Sequence, residues 1–144
     1  MIPYWRGAPM TKMLSVPDAV PRLLAPTTTQ KIAQRMLAGS REVAAAMPRG
    51  FFTPTALDIL LILHVAEEDA RYLTMEELDI PGGPSTVITG RWLSILIVQS
   101  LIDQRGNLLA LSKKGYDLVT GIIESVYRAQ RALDESHIPE TINE

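Results

Sequence analysis

A mainly helical fold carrying one short β-hairpin is what the sequence predicts. Three observations predict it. Apolar residues recur at helical spacing in several segments after residue 27. Capping residues, prolines and glycines stand at the segment ends. One Arg-Gly-Asn turn, Arg105–Asn107, separates two short apolar-containing runs. The chain has 144 residues, a length that suits one domain with a real core.

Residues 1–27 hold Pro3, Pro9, Pro17, Pro21 and Pro26 without lasting periodicity, so a Pro-rich, loosely ordered segment is expected there. The first helix is expected over about Thr28–Met47, capped by one of Thr27, Thr28 or Thr29 and stopped by Pro48. Its stripe is Ile32, Met36, Val43 and Met47, flanked by charges, as on a helix that lies across something else. The second helix opens at Thr53 with Pro54 at the first helical position. Its apolar residues, from Leu57 to Val65, cover nearly all sides and place it at the centre.

Tyr72-Leu73 reads as a very short strand, and Thr74–Glu77 has capping-box spacing for a short third helix. Ile80–Pro84 is a turn that must end it. A fourth helix follows from Ser85 to about Leu101. Short strands at Ile102–Gln104 and Leu108–Leu111 flank the turn. Ser112 caps a long last helix with Leu118, Ile122, Val126, Ala129 and Leu133 at helical spacing. The domain is thus expected over 28–136, with a flexible polar tail over 137–144. This order is that of a winged helix-turn-helix with a short hairpin wing, flanked by N- and C-terminal helices suited to dimerisation.

The fourth helix carries the functional reading. At 100° per residue, Ile88, Trp92, Ile95 and Leu96 cluster on one side, the expected inner face. Thr86, Gly90 and Ser94 lie opposite, with Arg91 beside them. Hydroxyls and one arginine on an acid-free face can donate to phosphates or to base edges in a major groove. Ser85 and Thr86 sit where free backbone N–H groups and the helix dipole favour an anion. Arg105 at the turn, with Lys113 and Lys114 beyond it, is placed to touch sugar-phosphate. An ordinary solvated helix face would look similar, and so would a solvated turn and an exposed first helical turn.

The stretches TALDILLILHVAEED, STVITGRWLSILIVQSLID and LLALSKKGYDLV resemble the MarR-like winged-helix regulators of bacteria, over roughly Thr53–Leu118. The resemblance implies a homodimer whose first and last helices interleave and whose two recognition helices read double-stranded DNA. Carried over by position, it makes Ser85, Thr86, Thr89, Gly90 and Arg91 recognition-helix residues and puts Arg105 on the wing. Three features depart from the pattern: a short wing, the turn IPGGPS before the helix, and Ser100 where a glycine is usual. The expected dimer contacts are Ile32, Met36, Val43, Leu118, Ile122, Val126 and Leu133, on stripes that a domain of this size has limited room to bury alone. MarR-like dimers often take a small effector between the dimer helices and the DNA-binding lobe, and Trp92, Tyr116, Tyr127 and the methionines could line such a pocket; they are more simply core residues.

Net charge is −2, which counts against a strongly electrostatic nucleic-acid binder. The total hides an asymmetry: residues 1–50 carry seven basic side chains against two acidic ones. The absence of cysteine excludes disulfides and thiolate metal sites and fits a cytoplasmic protein. The start of the chain lacks an apolar signal core, and the longest apolar run, Ile59–Leu63, is far too short to span a membrane. His64 is expected to be a hydrogen-bonded, partly buried residue rather than a base or ligand. No catalytic set, cofactor motif or metal-binding pattern is visible, so an enzyme is not expected. The competing reading is a winged-helix protein-interaction module without DNA binding.

Overall fold

The computed structural model describes residues 23–142, and side chains through Ser136. The expectations for residues 1–22 and 143–144 lie outside the described residues. Helix α1 spans Pro26–Ala46, α2 Ala56–Glu68, α3 Thr86–Val98 and α4 Lys113–Ile142, with a 3-10 turn at Met75–Glu77 and strands β1 (Ile102–Arg105) and β2 (Leu108–Leu111).

Start signals explain most boundaries. α1 begins two residues earlier than expected because Pro26 takes the first helical turn, where a missing N–H costs nothing. None of the three threonines caps it: the preceding Ala25 offers only its carbonyl, to Thr28 N and Thr29 N at 3.0 Å each. Likewise α2 is capped by Thr55 and not by Thr53. Thr55 Oγ1 accepts from Asp58 N while Asp58 Oδ2 accepts from Thr55 N, a complete capping box. Ser112 caps α4 through Gly115 N at 2.9 Å. The helix continues to Ile142, through residues expected to fray.

α2 lies at the centre, packed on α1, α4 and β2. Ile59, Leu61 and Leu63 are buried, and Val119 and Ile123 of α4 meet the same core. A polar pair sits inside it. Thr29 Oγ1 donates to Pro26 O at 2.9 Å and lies 3.0 Å from His64 Nε2. Tyr116 OH donates to Glu68 Oε2 at 3.0 Å. Burial raises the Glu68 pKa above its ordinary value near 4.5, and the Tyr116 bond opposes the rise. Glu124, also buried, accepts from Leu23 N and Leu24 N and so ties the entry to α1 onto α4.

The hairpin is antiparallel, with Ile102 opposite Leu111 and Arg105 opposite Leu108. Gly106, with φ 62°, takes the first of its two turn positions, a conformation that costs glycine little. Leu73 adds a single bridge to Leu109, with Leu109 N donating to Leu73 O at 2.8 Å. α3 ends at Gln99, and Ser100 turns the chain with φ 63°. The start of α4 is fastened to this end of α3. Ser112 Oγ donates to Ser100 O at 2.6 Å, and Lys114 Nζ donates to Gln99 O at 3.1 Å. Gly115 comes so close that a Cβ there would lie 2.0 Å from the Leu101 carbonyl oxygen.

Candidate nucleic-acid interface

Ser85 caps α3, its Oγ accepting from Ile88 N at 3.3 Å. The Pro-Gly-Gly-Pro turn before it, with Gly82 and Gly83 both at positive φ, swings the chain from buried Ile80 into the helix. Beyond the cap, Ser85, Thr86 and Arg91 are exposed and Gly90 is half-buried. Among the described residues Arg91 makes no ion pair or hydrogen bond, and α3 contains no carboxylate.

The inner face of α3 differs from the expected one. Thr89, Leu93 and Leu96 are buried, whereas Ile88 and Ile95 face solvent and Trp92 is half-buried. Thr89 is only 5% exposed and cannot reach a groove, so it leaves the set of recognition residues. The cause is phase. Apolar residues lie all round this helix, so its own sequence does not choose a face; Ile102 of the adjoining hairpin and the core below it do.

A groove of about 330 Å³ runs between α3 and the hairpin, lined by Met75, Glu76, Gly90, Ser94, Gln104 and Asn107 among others. Ser94, not among the expected contacts, opens into it; its place beside Gly90 on the helical wheel was the signal available. The groove carries one carboxylate and no cation. Arg105 is half-buried beside the turn and is engaged in an interaction of its own. Lys113 pairs with Asp117 at 3.1 Å, and Lys114 caps the far end of α3. That end is about 20 Å from Ser85 by helix rise. The expected residues therefore form no single basic patch: Ser85, Thr86, Gly90 and Arg91 share one half of α3, and the two lysines stand at the other.

The expected dimer contacts also divide. Ile32 is buried in its own chain, a correction to its assignment as an interface residue, and Met36 is partly buried beside it. Val43, Leu118 and Leu133 are exposed by 51%, 42% and 67%, and Ile122 and Val126 are half-buried. The face of α4 that enters the core is instead Tyr116, Val119, Thr120 and Ile123. From Arg128 to Ser136 every residue of α4 is exposed.

Of the three aromatic residues suggested for an effector pocket, Tyr116 is buried and Trp92 packs against the core. Tyr127 lines a groove of about 250 Å³ between α1 and α4, with Met36, Val126 and Arg131. No metal-holding group of side chains and no helix long and apolar enough to cross a membrane occurs among the described residues. Set against protein-family profiles, curated proteins and solved structures, the chain matches none of them.

Proposed function

We propose that the chain is a sequence-specific, DNA-binding transcriptional regulator of winged helix-turn-helix, MarR-like type, acting as a homodimer and not as an enzyme. The observation that carries this reading is the capped, acid-free half of α3, with Ser85, Thr86, Gly90 and Arg91 set beside a β-hairpin. Such a strip can enter a major groove, with the N-terminal turn on a phosphate and Arg91 on a guanine edge. Arg105 would touch backbone from the hairpin, and Lys113 and Lys114 would reach it only by leaving their present partners. Dimerisation would use the free stripe of α4 and Val43 of α1, because nine successive exposed residues of a helix have little to hold them helical alone.

The test is a fluorescence-anisotropy titration with labelled duplexes selected from a random pool, at two salt concentrations. Binding should be sequence-selective and should weaken with salt. Arg91→Ala should lose about 1–3 kcal/mol if Arg91 reads a guanine. Unchanged affinity in a folded variant removes Arg91 from the reader. Sedimentation equilibrium should give a dimer that Leu133→Glu dissociates.

One observation favours a second reading, a protein-interaction module without DNA binding. Val87, Ile88, Ile95 and Val98 on α3 are exposed by 64%, 42%, 51% and 77%, more apolar surface than a groove-reading helix has use for. Such a protein would show no salt-sensitive DNA affinity at all.

A further inference from the structure

We infer that the apolar stripe of α3 docks an amphipathic helix of a partner protein, one that carries a carboxylate to meet Arg91. The docking surface is that of the second reading, and it holds whether or not the other flank of α3 also reads DNA.

Val87, Ile88, Arg91, Ile95 and Val98 recur at helical spacing and form one continuous outward stripe. It runs about 16 Å along the helix, the length of a three-turn partner. An apolar stripe of this kind is read by side chains at i, i+3, i+4 and i+7 of a facing helix. The charge selects among occupants. Arg91 is the sole charged residue of α3 and lacks an ionic partner among the described residues. Covering it with apolar surface alone would bury an unpaired cation, so the occupant must bring a counter-charge.

Two occupants fail that requirement. A second copy of α3 brings another Arg91 and no carboxylate. Residues 1–22 of the chain carry Arg6, Lys12 and Arg22 against Asp18 alone, the same sign as the site. An acidic amphipathic helix supplies both missing parts. Because Arg91 belongs to both sets, a docked helix and a duplex would compete for it.

The experiment uses the full chain and two labelled, designed helical peptides. Both present leucine at i, i+3, i+4 and i+7; one has Glu and the other Lys at the position facing Arg91. The Glu peptide should bind wild type at least about tenfold more tightly than the Lys peptide. Ile95→Ser should weaken it by a similar factor, and Arg91→Glu should invert the preference. Both substitutions are at exposed positions, and circular dichroism checks the fold. Equal binding of the two peptides, no binding of either, or indifference to Ile95→Ser overturns the proposal. So does a change of molar mass in Ile95→Ser, which would show that a second copy covers the stripe. DNA titration of the same variants keeps the readings apart. Peptide binding without DNA binding refutes only the DNA reading, and the converse refutes only the docking site.

Discussion

Helices α2 and α3 are both thirteen residues long, and both are apolar on most sides, yet α2 buries nine of its residues and α3 buries three. Composition does not separate them. Neighbours do. α2 is surrounded by α1, α4 and β2, while α3 packs mainly on β1 and turns Leu93 and Leu96 to the core. An apolar helix at the centre of a fold is buried by that fold; one at its edge keeps apolar surface exposed.

The largest expected effect tests this contrast directly. Leu61→Ala in α2, where the side chain is 1% exposed, should cost about 2–5 kcal/mol in urea unfolding. Ile95→Ala in α3 should stay within about 0.5 kcal/mol. A core-sized loss at Ile95 would mean that α3 is already covered in solution. Next in size is the junction of α3 with α4. Gly115→Ala should cost about 1–3 kcal/mol, because its new methyl meets the Leu101 carbonyl rather than a side chain that can swing away. Thermal unfolding measures it, and a neutral result would show that the end of α3 yields easily.

Smaller effects sharpen the two helix ends. Ser100 holds φ 63° just past α3, where the resemblance expects glycine, so Ser100→Gly should stabilise by about 0.5–1 kcal/mol in chemical denaturation. Glu68 ends α2 with a pKa raised by burial. Its contribution is fully present below the ordinary value near 4.5 and is lost as pH rises through the higher folded value. Glu68→Gln should therefore gain Tm relative to wild type between acid and neutral pH, with Tyr116 still able to donate to the amide oxygen. A flat difference across that range would contradict the assignment.

Much of the fold was legible. The order of elements, the Ser85 and Ser112 caps and the hairpin strands, to within a residue, follow from local chemistry, and local chemistry is what a sequence displays. The faces were not. On α3 the expected inner face was Ile88, Trp92, Ile95 and Leu96, and of these only Leu96 is buried. Periodicity finds a face by contrast between sides, and TVITGRWLSILIV offers almost none. α4 misled differently. It has two stripes, and the one noticed, Leu118 to Leu133, is the one its own chain leaves open, while Tyr116, Val119 and Ile123 turn inward. Of the candidate site, the exposure of Ser85, Thr86 and Arg91 was readable, and the burial of Thr89 was not. The engagement of Lys113 and Lys114 was not, since it depends on where the end of α3 lies relative to the start of α4.

The fastening of α4 to α3 has a mechanical consequence. Ser112, Lys114 and Gly115 leave little play between the two helices where they meet. α4 is a rod of 30 residues, about 45 Å long, exposed from Arg128 to Ser136, with Gln130, Arg131 and Asp134 bordering the groove against α1. A tilt of about 5° at the joint would carry the far tip through roughly 4 Å over that length. A small change at that joint is thus magnified along α4, and Tyr116, Val119 and Ile123, seated in the core, are what resist it.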